Sequence, residues 1–138
     1  MAGDYVFKAH TPKTSTRFVS DLAATAAEFG MIVHNEDKMD MAHTFGSHGV
    51  EISEGFDLHM IQICKPDKAA ASLQANPERA ILMPKFIMTF TQNGATQIRF
   101  FYFSRENIRV LVDDDSFPAS LEQSYAQIIA MINKAIER

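Results

Sequence analysis

Apolar residues recur at spacings of three and four in two long stretches of the chain. Phe18, Leu22, Ala26 and Phe29 share one face of a helix beginning near Arg17. Thr14, Ser15 and Thr16 offer N-cap oxygens ahead of it, and Gly30 is a natural stop. Phe117, Leu121, Tyr125, Ile128, Ile132 and Ile136 mark a second, longer helix from Ser116, with Pro118 in its first turn and Lys134 and Arg138 toward its C-terminal end.

Between these helices the pattern shortens to strands and turns. Residues 5–10 and 31–34 read as short strands. Residues 56–64, FDLHMIQIC, read as a longer one in which Leu58 and Met60 share one face and Ile61 and Ile63 the other. Apolar residues on both faces imply a strand covered on both sides or one carrying a bulge. The polar segment 34–49 predicts only a helical turn at 40–45. Pro66 opens a short helix, PDKAAASLQA. Asn76-Pro77 caps another turn, which Pro84 ends. Ser104 is a cap for 105–112, a segment open between helix and strand, and Asp113 to Asp115 form a solvated turn.

The segment KFIMTFTQNGATQIRFFYF signals a β-hairpin. A two-residue Asn93-Gly94 turn sets Phe86, Met88 and Phe90 opposite Phe101, Arg99 and Gln97. A three-residue loop, Gln92 to Gly94, pairs them instead with Phe100, Ile98 and Thr96. The second register segregates apolar from polar positions better, and it is the expectation. It puts Phe86, Met88, Phe90, Ile98, Phe100 and Tyr102 on the inner face, with Lys85, Gln97 and Arg99 facing away. The elements together predict an α+β two-layer sandwich: a mainly antiparallel sheet of four or five strands against two longer helices, with short helical turns. No repeat or linker-like run divides residues 1–138, so one domain is expected.

Several landmarks recur in a fixed order: ICKP at 63–66, Ala69, NPE at 76–78, and LMPKFIMTF at 82–90 followed by a glycine hairpin. With the first helix ending in glycine and a His-bearing segment at 39–49, the chain resembles the domain-of-unknown-function 302 family over about residues 4–136. The resemblance implies an α+β fold and brings no established general activity. Many members of that family carry cysteine immediately after the proline matching Pro84, where this chain has Lys85, so two-thiol chemistry does not carry over.

Composition narrows the classes. Hydrophobic residues at 46% and charged residues at 22% suit a folded globular chain. A formal net charge of -4 disfavours nucleic acid, and the run RFFYF lacks the glycines of base-stacking strands, so its aromatics read as core. No apolar run is long enough to span a bilayer, and no secretory signal is visible at the N-terminus. A lone cysteine forms no internal disulfide, and a cytoplasmic protein is expected.

Few residues suggest chemistry. Cys64 ends a strand just before the helix opened by Pro66, with Lys65 and Lys68 nearby, a setting that suits a nucleophilic or metal-binding thiol. Its bland reading is a small packing residue. His59 falls on the opposite face of that strand, so the two do not share a metal by themselves. The 34–48 segment holds His34, Met39, Met41, His43 and His48, ligands that suit a soft transition metal or haem, although their spacing also suits packing. The candidate metal set is therefore Met39, Met41, His43 and Cys64. His43, His48, His59 and Lys85 are candidates for holding a cofactor or anionic ligand. Glu78 and Arg79 read as pairing with each other or with the sheet edge.

Three functions follow in order. The first is a binding module, possessing no enzymatic activity, for a small molecule, soft metal or haem, expected to be a homo-oligomer such as a homodimer. The second is a thiol-dependent enzyme or redox protein using Cys64. The third is a structural domain self-associating through an exposed edge strand.

Overall fold

The computed structural model describes residues 5–138. Strand β1 is Tyr5–Thr11 and helix α1 is Ser15–Glu28, where the Thr14 side chain accepts a hydrogen bond from the Arg17 amide at 3.2 Å. Phe18, Leu22 and Ala26 of α1 are fully buried, as the periodicity requires. Gly30 follows at a φ of 72°, a left-handed conformation that suits glycine at a helix C-terminus. Strand β2, Ile32–Val33, is shorter than the four residues expected, although the His34 amide still donates to the Gln62 carbonyl at 2.8 Å. Helix α2, Met41–Ser47, is capped by the Asp40 carboxylate and extends two residues past the predicted turn.

Strand β3 is Leu58–Cys64, helix α3 is Pro66–Ala75, and a 3-10 turn follows over Pro77–Leu82. Strands β4, Lys85–Gln92, and β5, Ala95–Tyr102, form the hairpin. Helix α4, Arg105–Leu111, settles the open segment as helix: the Ser104 hydroxyl accepts from the Asn107 amide at 3.2 Å. Helix α5 is Phe117–Glu137. The five strands lie in the order β1-β5-β4-β3-β2, and each pair is antiparallel.

Helices α1 and α5 bury their apolar stripes on one face of this sheet, against Ile61, Ile63, Ile87, Ile98 and Phe100. The α+β sandwich is therefore the architecture. Among the described residues no helix is long and apolar enough to cross a membrane.

Three expectations change. The hairpin loop has two residues, not three: Gln92 pairs with Ala95, and Asn93 and Gly94 have φ values of 56° and 73°, as a type I′ turn requires. The register accordingly shifts by one, so Ile87 faces Phe100 and Thr89 faces Ile98. Lys85, Ile87 and Thr89 point to the helix-covered face, while Phe86, Met88 and Phe90 lie half-buried on the other. Maximising segregation chose wrongly because the second face is itself partly apolar. There the Arg99 guanidinium lies 5.3 Å from the Phe90 ring centroid, and Val6 and Phe101 are exposed.

The mixed pattern of β3 has the same cause. Its pairing with β4 runs residue for residue from Leu58 to Ile63, with no bulge. The third change concerns Asp113 to Asp115, which do more than make a solvated turn. Asp114 accepts from Arg79 Nε at 2.8 Å and Nη2 at 3.1 Å, from Asn76 Nδ2 at 2.8 Å and from the Phe117 amide at 2.9 Å. Arg79 thus pairs with neither Glu78 nor the sheet edge. It binds the turn that starts α5.

Candidate functional site

The edge of the sheet nearest α3 is where chemistry concentrates. Strand β3 ends at Cys64, and Lys65 and Pro66 turn the chain into α3, which begins without a side-chain cap. One turn into α3, Lys68 reaches across to α5, and its Nζ donates to Ser124 Oγ at 2.8 Å. The 3-10 turn and Pro84 deliver the chain to β4, whose first residue is Lys85, paired with Ile63. Strand alternation then turns the Lys85 side chain toward the helices, in line with Ile87 and Thr89.

The space between these elements is a cavity of about 200 Å³. Its walls are largely apolar, with Leu73 of α3 and Leu121 and Ile128 of α5 opposite the Cys64 end of the sheet. Lys68 and Lys85 both line it. Among the described residues no carboxylate lies within ion-pair distance of either ammonium. Among the described residues, the one protein group bonded to Lys85 Nζ is the Met83 carbonyl, at 3.1 Å.

Burial pushes the Lys85 amine down from 10.5 to about 8. The nearby Cys64 thiol, which acquires negative charge on ionising, works against this shift, and the Lys68 charge reinforces it. The Lys68 amine is also held below its ordinary range, first by burial and then by the charge of Lys65. A mainly apolar cavity thus holds two amines whose ammonium forms have no carboxylate partner among the described residues, and burial brings the deprotonation of Lys85 closer to neutral pH.

The candidates taken from the sequence divide between places. Cys64 and Lys85 come together at the cavity, with the exposed His34 also on its lining. Met39, Met41, His43 and His48 do not line it. His43 and His48 are exposed on and just after α2, and Met39 packs against the core. His59 sits on the helix-covered face opposite Thr89, away from the cavity, with its Nδ1 3.5 Å from Asp57 Oδ1 and making no hydrogen bond. Among the described residues no three His, Cys, Asp or Glu side chains cluster as a metal site.

Lys68 is a cavity-lining residue that local sequence signals do not single out. In the sequence it stands out only as a neighbour of Cys64, because its partner Ser124 is 56 residues further along the chain. Lys85, a ligand-binding candidate, faces the helices and not the opposite side that a three-residue hairpin loop implies. The two-residue turn is the signal that places it correctly.

A single antiparallel sheet backed by two helices, with a lysine-bearing cavity beside α3, defines a small α+β domain. The model of the family described as domain of unknown function DUF302 matches residues 7–138, and the chain belongs to that family. No curated protein matches it. Among solved structures it is similar to the crystal structure of an uncharacterized conserved DUF302 protein from Bacillus stearothermophilus. That likeness has a TM-score of 0.67 at 15% identity and covers 96% of each chain. At this identity it shows a shared fold.

Proposed function

We propose that the protein is a binding domain for a small molecule with an apolar body and one anionic head, seated between α3, α5 and the ends of β3 and β4. The observation that carries this reading is the pair Lys68 and Lys85 in a mainly apolar cavity, with no carboxylate partner among the described residues. A buried ammonium without a counter-ion is costly, and a carboxylate or phosphate arriving with the ligand offsets that cost. The apolar walls provide affinity for a short hydrocarbon body, and the cavity is small by the standard of drug-sized pockets. The soft-metal and haem versions have less support, because Met39, Met41, His43 and His48 do not line the cavity with Cys64.

A titration with 4-methylpentanoate, followed by amide chemical shifts, tests the reading. Shifts are expected at Cys64, Lys68 and Leu121, and the acid should bind about tenfold more tightly than 4-methylpentanamide, the margin of one charge-assisted hydrogen bond. Equal affinity for acid and amide, or shifts spread over the surface, counts against it.

Cys64 supports a second reading, thiol chemistry, since it lines the same cavity as the two amines. Alkylation of Cys64 no faster than in the unfolded chain at neutral pH would sink that reading alone.

A further inference from the structure

We infer that Lys85 is a nucleophilic amine that captures the carbonyl group of a small 2-oxo acid with an apolar chain as an imine. This rests on the binding reading and adds a covalent step at one of its two lysines. The geometry separates the roles of the amines. Lys68 is fixed on α5 by Ser124 Oγ at 2.8 Å, so its charge has a set position for the carboxylate of the ligand. Lys85 starts β4 and extends into the apolar space, where its nitrogen donates to the Met83 carbonyl at 3.1 Å. Among the described residues no protein group donates to that nitrogen, so in the neutral amine its lone pair is free to attack.

The surroundings shift the balance toward that neutral form relative to an exposed lysine. Burial lowers the amine to about 8, and the Lys68 charge acts in the same direction. Desolvation and a neighbouring cation are the two general routes to a nucleophilic lysine. The titratable groups lining the cavity are Cys64 from β3, Lys65 and Lys68 from the start of α3, and His34 beyond β2. Helix α5 lines it with the uncharged Ser124 and Gln127.

The step balances without any further reagent. The lone pair of the neutral amine forms a bond to the carbonyl carbon, and the carbonyl electron pair moves to oxygen, which takes up a proton. The resulting carbinolamine loses that oxygen as water, nitrogen gives up its protons, and a carbon–nitrogen double bond forms. One amine and one carbonyl give one imine and one water. Leu73, Leu121 and Ile128 give the imine an apolar wall.

The test incubates the full chain with 4-methyl-2-oxopentanoate and sodium cyanoborohydride, then measures intact mass and maps peptides. One adduct is expected, with the mass of the probe less one oxygen, on Lys85. Its formation rate should rise about tenfold per pH unit below the titration of the amine and level off above pH 8, whereas a solvent-exposed lysine keeps rising toward pH 10. Lys85→Arg keeps the charge and removes the nucleophile, and should abolish the adduct. Lys68→Met should slow trapping, by losing the carboxylate contact and easing protonation of Lys85.

Adducts scattered over surface lysines, an adduct on Lys68, or an adduct persisting in Lys85→Arg would overturn the inference. Binding of 4-methylpentanoate to the wild type and to Lys85→Arg separates the two claims. If this non-carbonyl acid binds and no trapping occurs, the covalent step fails while the binding reading stands. If neither occurs, both fail.

Discussion

Cys64 is half-buried while Ile61 and Ile63 beside it are buried, a difference that sets a cavity wall apart from a core position. Local sequence shows why a strand ends there, since Lys65 and Pro66 start a helix. It does not show which residues share the cavity with Cys64, because Leu121 and Ser124 come from a helix that begins more than fifty residues later. The shared cavity has a direct consequence: a ligand seated on Lys68 and Lys85 shields Cys64. Saturating 4-methylpentanoate should therefore slow alkylation of Cys64 by iodoacetamide about tenfold, measured by mass spectrometry, if nine-tenths of the cavities are filled. An unchanged rate under conditions where binding is complete would separate the thiol from the site.

At the scale of elements, most helices and strands were legible because caps, prolines and periodicity agree along the chain. Thr14, Asp40, Asn76 and Ser104 each cap the element that follows. The hairpin register was not legible from segregation of apolar residues, because Phe86, Met88 and Phe90 face outward and are still half-buried. The turn chemistry carried the better signal: Asn93-Gly94 is suited to two successive positive φ values. Replacing Gly94 by Ala forces a side chain into that conformation and should cost about 1 kcal/mol, read as a lower urea midpoint at unchanged slope.

The link between Arg79 and Asp114 was also hidden, since it joins the 3-10 turn to the start of α5 across 35 residues. The Arg79 guanidinium, with the Asn76 amide, holds the Asp114 carboxyl well below the usual carboxylate range. A depressed folded value means the ionised form stabilises the fold at neutral pH, and that contribution is lost as pH falls below the unfolded value. Asp114→Asn should thus melt lower than the wild type at pH 7, with the gap narrowing toward pH 3. A gap that does not change with pH would assign the loss to packing alone.

For the whole molecule, the cavity is a place where stability is given up to hold a charge. Lys85 titrates at about 8 when folded against 10.5 as a free side chain, so folding disfavours its ammonium. Below about pH 8 both states are protonated and the full penalty applies. Between pH 8 and 10.5 the unfolded chain binds more protons, so this contribution makes stability rise with pH, and above that range the penalty is gone. The gap corresponds to about 3 kcal/mol at one kcal-scale step of about 1.4 per pH unit.

Lys85→Met keeps a similar stem and removes the charge, so it should be more stable than the wild type at pH 7 by about 2 kcal/mol once some relaxation is allowed for. Urea denaturation of both proteins at pH 7 and pH 10 tests this: the variant's advantage should shrink at the higher pH. A bound anion acts in the opposite sense, because it favours the ammonium and raises stability most at neutral pH. Saturating 4-methylpentanoate should consequently stabilise the wild type at pH 7 more than Lys85→Met, and equal stabilisation of the two would show that Lys85 carries no part of the anion's charge.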